Sequence, residues 1–166
     1  MEESLHEMVV IIRNLLDSNG IAYKYWEHEA VRTSEDAQKL RPDYTMSQGA
    51  KALILNIKYR SGNVGFVQCV VPADKKIDSK KLKALLGAKG SRFATVEEAN
   101  RITNGIEFGG VPPFGNLFAE PLIVYVDESL FGNNEIIFNA GDRRVSIAMS
   151  SVDWKSITNP VIAKVI

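Results

Sequence analysis

The chain has 166 residues, 45% hydrophobic and 24% charged, a composition that suits a globular core and excludes intrinsic disorder. Lys and Arg balance Asp and Glu at twenty each, so no whole-molecule field draws the protein onto nucleic acid, and any such contact must be a local patch. A single cysteine, Cys69, excludes an internal disulfide framework and fits a reducing compartment.

The opening stretch MEESLHEMVV has neither the basic segment nor the long apolar run of a signal peptide. No apolar run approaches the roughly 20 residues that cross a bilayer. One soluble, cytoplasmic domain over residues 1–166 is expected. Ser4 and Glu7 have capping-box spacing, and Leu5, Met8, Val9, Ile12, Leu15 and Leu16 recur at helical spacing until Asn19-Gly20. Ala22–Trp26 reads as a short strand, and Thr33 with Asp36 starts a second helix that Arg41-Pro42-Asp43 breaks. Ala50–Ile57 is a near-continuous apolar run, as in a buried strand; Arg60–Asn63 turns the chain, and Val64–Val71 returns as its hairpin partner, ended by Pro72.

Asp78 or Ser79 caps a lysine-rich helix that Gly87 terminates, and Thr95 with Glu98 forms a capping box before a helix ending near Asn104-Gly105. Gly109–Gly115, GGVPPFG, is too rich in glycine and proline for either regular element. Leu122–Val126, Glu135–Phe138 and Val145–Met149 read as strands, with Gly141-Asp142 as the turn between the last two. Ser150 or Ser151 caps a closing helix through Trp154. Tight turns between successive strands imply antiparallel pairing and exclude a doubly wound nucleotide fold. The expected fold is α+β: a mixed, mostly antiparallel, barrel-like sheet surrounded by helices.

Several chemistries are excluded. His6, His28 and Cys69 cannot build a His/Cys zinc site of ordinary spacing, and Arg32 stands where a zincin motif begun at His28-Glu29 needs its second histidine. No G-x-S-x-G elbow or Walker A sequence is present. Gly87–Ser91, GAKGS, has phosphate-loop letters in the wrong order and reads as a helix C-cap, while Cys69 reads as a buried, inert thiol.

Lys51 opens the apolar strand on the same face as Leu53 and Leu55. It is either a strand-end lysine that snorkels to water or a cation at a pocket mouth for a phosphate or developing oxyanion. In GGVPPFG the glycines let backbone approach a ligand, and the prolines stiffen the chain and remove two donors. That suits a binding wall and, equally, a structural crossing plugged by Phe114. Asp74–Arg92 holds seven Lys or Arg against two Asp: the solvated face of an amphipathic helix, or a patch that touches phosphates.

The segments His28-Glu29-Ala30-Val31, Thr33-Ser34-Glu35-Asp36-Ala37, Gly49-Ala50-Lys51-Ala52-Leu53 and Val71-Pro72-Ala73-Asp74 occur in order. Leu85-Leu86-Gly87-Ala88, GGVPPFG, Val126-Asp127-Glu128-Ser129-Leu130 and Asn139-Ala140-Gly141-Asp142 follow. With them the chain, from about Ile21 to Trp154, resembles the YbaK/ProX family of prolyl-tRNA-synthetase-associated editing domains and their free-standing relatives. The resemblance implies an aminoacyl-tRNA deacylase that hydrolyses the ester of mischarged tRNA, often tRNA(Pro), in trans and without metal or organic cofactor. A non-catalytic module that binds a nucleotide or the tRNA 3′ end is the alternative.

The resemblance assigns activity to Lys51 and substrate contacts to Gly109, Gly110, Val111, Pro112, Pro113, Phe114 and Gly115, with His28, Gly141 and Asp142 beside them. Lys80, Lys81, Lys83, Lys89 and Arg92 form the expected tRNA face. The implied partners are the acceptor end of a mischarged tRNA and prolyl-tRNA synthetase, with no DNA and no membrane. The amino acid removed and the oligomeric state stay open.

Overall fold

The computed structural model describes residues 4–166; Met1–Glu3, part of the stretch read as lacking a signal sequence, lie outside the described residues. The chain runs α1 (Glu7–Ser18), β1 (Tyr23–Glu27), α2 (Ser34–Leu40), β2 (Ala50–Tyr59), β3 (Val64–Pro72), α3 (Ser79–Leu86) and β4 (Ala88–Phe93). It continues through α4 (Val96–Thr103), β5 (Val124–Asp127), β6 (Glu135–Asn139), β7 (Val145–Ser150), α5 (Ser151–Thr158) and β8 (Val161–Ala163). Five strands form one sheet in the order β4-β2-β3-β5-β8, and three form another in the order β1-β7-β6. Pairing is antiparallel except at β3–β5 and β5–β8, so the α+β class and the mostly antiparallel pattern hold.

The sheets do not close into one hydrogen-bonded barrel. A bridge between Gly49 and Ile137 joins them, and the Gln48 amide donates to the Glu135 carbonyl at 3.3 Å, curving the start of β2 onto β6. The unbroken apolar run of β2 has a direct cause: both faces are covered. Ala50 and Ile54 join the main core with α1, α4 and Trp154, while Leu55 and Ile57 join a second cluster with Cys69, Leu82 and Val165.

Local signals account for most element ends. Asp78 caps α3 by accepting from the Lys80 and Lys81 amides, and Gly87 ends it with φ +63°. The Thr95–Glu98 capping box forms as the spacing predicts. At α1 the expected Ser4–Glu7 box is replaced. The N-cap is His6, whose Nδ1 accepts from the Met8 amide at 3.0 Å. A contact from the end of α4 orients that imidazole, its Nε2 lying 2.8 Å from the Asn104 carbonyl, whereas the Ser4 carbonyl accepts from Arg144.

Strand β4 was not expected. Ala88–Phe93 (AKGSRF) pairs along the edge of β2 although its letters lack apolar alternation. The parallel edge strand β8 was also missed, and α5 runs past Trp154 to Thr158. Near them Asp127 is buried: its carboxylate accepts from the Val165 amide at 2.8 Å and from the amide and hydroxyl of Ser129. Burial alone would raise its pKa, but those bonds hold it below the ordinary value.

Candidate active site

A cavity of about 310 Å³ opens between α2, the start of β2, the first part of the GGVPPFG loop and the end of β6. Its wall carries three cations, Arg32, Arg41 and Lys51, and among the described residues no carboxylate. Ala37, Val111, Ile137 and Phe138 supply apolar surface, and half-exposed Phe108 stands at its rim. The site is an anion-attracting pocket with an oily lining.

Lys51 is half-buried, and its Nζ donates to the Lys75 carbonyl at 2.8 Å. Burial, aided by the nearby charge of Lys76, lowers its pKa below the ordinary lysine value; Asp74 and Glu35 oppose the shift in part. The cation is therefore held in place at the β3–α3 connection and keeps donors for a ligand, since an ammonium carries three hydrogens.

The loop divides into two functions. Gly109 and Val111 line the cavity. Gly109 has φ +89°, which favours glycine, and a Cβ on Gly110 would crowd the Arg143 amide nitrogen at 3.1 Å. The second half is a crossing. The Pro112 carbonyl accepts from the buried Gln68 amide at 2.9 Å, and Gln68 in turn accepts from the Gly115 amide at 2.8 Å. The Trp154 indole donates to the Pro113 carbonyl at 2.9 Å, and Phe114, fully buried, meets Phe138 edge-on. Pro112, Pro113, Phe114 and Gly115 thus hold the glycine half in position, although the resemblance implied substrate contact for them too.

Three further expected contacts stand apart from the cavity wall. Gly141, with φ +101°, is pressed against Met8, where a Cβ would come within 2.6 Å. Asp142 faces away: its carboxylate accepts from the Arg144 amide and guanidinium at 2.9 Å and from the His6 amide at 3.3 Å. That pairing outweighs burial and keeps its pKa low. These two residues line a separate polar recess of about 290 Å³ with Glu107 and Arg143. His28 lies one layer behind the cavity, its Nε2 2.6 Å from the Ser146 hydroxyl.

The expected basic face is a surface separate from the cavity wall. Lys80, Lys81, Lys83, Lys89 and Arg92 do not line the cavity. Lys80, Lys81, Lys89 and Arg92 are exposed and Lys83 is half-buried. Arg92 is occupied by Glu98 through bonds of 2.7 and 3.1 Å, which pull the Glu98 carboxyl down to about 2. Lys75 and Lys76 are exposed beside Lys51, the first through its carbonyl and the second through its charge.

Cys69 is fully buried, and burial pushes its thiol up to about 12. A thiol-specific reagent at pH 8 is expected to label it at the rate of global unfolding, with rapid labelling only in denaturant. Fast labelling of the native protein would contradict the inert reading. Among the described residues no cluster of three His, Cys, Asp or Glu is placed to hold a metal ion, and no helix is long and apolar enough to cross a membrane.

The aminoacyl-tRNA editing domain family matches residues 28–157. No curated protein gives a significant match. Among solved structures, a protein assigned as a trans-editing enzyme for prolyl tRNA synthetase is 26% identical, with TM-score 0.80 and 98% of each chain covered. A hypothetical protein is 23% identical at TM-score 0.79, covering 93% of this chain and 97% of its own. A signal transduction protein from Marinobacter aquaeolei VT8, 13% identical at TM-score 0.69, matches 94% of this chain over 30% of its own length. The last two support the fold alone. Since the family match spans the cavity, its cations and the glycine loop, the chain belongs to the aminoacyl-tRNA editing domain family.

Proposed function

We propose that the protein is an aminoacyl-tRNA deacylase that acts in trans, as one domain, on mischarged tRNA, with tRNA(Pro) as its first candidate. The observation that carries this reading is the cavity shared by Lys51 and the Gly109 end of the loop, lined by cations and, among the described residues, by no carboxylate. A tRNA 3′ end presents phosphates and an activated ester, and a site for it needs to position water and stabilise an oxyanion rather than supply a strong nucleophile. Water adds to the ester carbonyl carbon, the tetrahedral oxyanion collapses with loss of the ribose oxygen, and that oxygen takes the proton. Free amino acid and intact tRNA result.

In this scheme Lys51 holds the terminal phosphate or the carbonyl oxygen. The Gly109–Val111 backbone fixes the aminoacyl group. No carboxylate or imidazole stands on the cavity wall among the described residues, which supports water activation by the substrate's own ribose hydroxyl. A second sieve of this kind answers a physical limit: a synthetase pocket rejects a smaller or isosteric amino acid by only about a hundredfold. The relative assigned to prolyl tRNA synthetase makes that enzyme the partner to test first.

The test is release of labelled amino acid from a panel of mischarged tRNAs, tRNA(Pro) charged with alanine, cysteine and serine among them. Cleavage of one or more above the spontaneous rate is expected. Saturable binding with no turnover across the whole panel would instead indicate a binding module. Charge reversal of Lys75 and Lys76 is expected to weaken tRNA binding and reduce its log–log salt slope by roughly 0.7 to 0.9 per lost phosphate contact. Reversal of Lys80 and Lys81 is expected to do less, because those residues sit farther along the chain from the site and Lys81 Nζ is engaged with the Ile166 carbonyl at 2.6 Å.

A further inference from the structure

Arg41 follows α2 directly, and its side chain lines the cavity. Its NH1 donates to the Ser146 hydroxyl at 3.2 Å, while Nε is buried with no acceptor among the described residues. No carboxylate there pairs with it. Burial pulls its pKa down to about 10, so the group stays cationic near neutrality. Buried arginines ordinarily have anionic partners, because an uncompensated charge out of water destabilises the fold.

Ser146 is a neutral partner and leaves the charge of Arg41 unbalanced. The Glu29 carbonyl, 2.7 Å from His28 Nδ1, can only accept, so Nδ1 carries a hydrogen and, in the neutral ring, Nε2 accepts. In that tautomer fully buried Ser146 donates to His28 at 2.6 Å, in preference to the Asn139 Oδ1 at 3.5 Å, and keeps its lone pairs for Arg41. Ser146, itself held by His28, anchors one nitrogen of the guanidinium, and the anion that would balance the charge has to come with a ligand in the cavity that Arg41 lines. A lone cation could serve as a point charge; a held, planar fork matches a pair of oxygens.

We propose that Arg41 is an oxyanion-binding residue of this cavity, its guanidinium fork taking either a phosphate of the nucleic-acid 3′ end or the carboxylate of an acidic aminoacyl group. His28 and Ser146 are its positioning residues. The inference rests on the cavity being the ligand site in the deacylase reading. It is tested by binding without turnover, so the failure of one is distinguishable from the failure of the other.

The probes are AMP, adenosine, and non-hydrolysable amide analogues of glutamyl- and alanyl-adenosine. Affinities and melting temperatures are measured for wild type, Arg41→Met and Arg41→Lys. Arg41→Met is expected to melt at or above wild type without ligand, since an unpaired buried charge is removed. It is expected to lose about tenfold to a hundredfold in affinity for an anionic probe, with adenosine and the alanyl analogue unchanged. Loss confined to AMP identifies the phosphate, and loss confined to the glutamyl analogue identifies the carboxylate.

Arg41→Lys keeps the charge without the fork, so a smaller loss for the same probe is expected; it also decides the matter if Arg41→Met does not fold. Equal affinity of wild type and the folded variants for all four probes overturns the proposal. So does a large drop in melting temperature of both variants with no selective loss of an anionic probe, the signature of a purely structural arginine.

Discussion

Replacing Lys51 with alanine is expected to lower deacylation kcat by about a hundredfold to a thousandfold, the range for deleting one oxyanion-stabilising donor. Folding should barely change. The side chain is half-buried and donates to the Lys75 carbonyl, so stability should shift by about 1 kcal/mol or less. The comparison is single-turnover hydrolysis at equal folded fraction, checked by circular dichroism. Because burial lowers the Lys51 pKa, its contribution should fade as pH rises through a value below the ordinary lysine range. Lys51→Arg should retain the charge at higher pH, and any activity it keeps should lack that fall. A Lys51→Ala enzyme with wild-type kcat would remove the lysine from the mechanism.

Gln68→Ala is expected to produce the largest loss of stability. One amide side chain satisfies both the Pro112 carbonyl and the Gly115 amide inside the core. Its removal strands two buried backbone groups, each at a cost of roughly 1–3 kcal/mol, so about 2–6 kcal/mol should disappear from the urea unfolding free energy. Gln68→Glu should be nearly as severe: it keeps an acceptor for Gly115 but offers the Pro112 carbonyl no donor. Activity should fall in the surviving folded fraction as well, because Pro112–Gly115 anchors the Gly109 and Val111 wall of the cavity. Stability within about 0.5 kcal/mol of wild type would show that the loop does not depend on this clamp.

Residues whose role is local were legible in the sequence. Asp78, Gly87, Thr95 and Glu98 act on hydrogen-bonding groups within one helical turn, and the apolar β2–β3 pair is joined by four residues. Lys51 and the paired glycines were visible because a cation in an apolar strand and bare backbone next to prolines are unusual in any fold. Arg41 was not, since Arg41-Pro42-Asp43 reads as a break, and its chemical meaning comes from Ser146 on a distant strand. For the same reason the sequence did not show that Gly141 and Asp142, expected beside the substrate, line a separate recess. Their turn was correct, but α1 covers one side of it. The edge strand β4 escaped notice because Lys89-Gly90-Ser91-Arg92 at its centre show no apolar alternation and only Ala88 at its start enters the core.

The long-range pairing of β1 with β7 has a consequence for the order of assembly. Lys51 sits on a hairpin whose two strands are adjacent in sequence and can zip early. The α2 wall with Arg41 depends on Tyr23 meeting Met149, more than a hundred residues later, and on Val31 bonding to the Arg143 carbonyl. During synthesis on the ribosome the lysine half of the pocket can therefore form well before the arginine half, and ligand affinity should arise only once β7 has emerged. Nascent chains arrested before Val145 would carry a folded hairpin and no binding site.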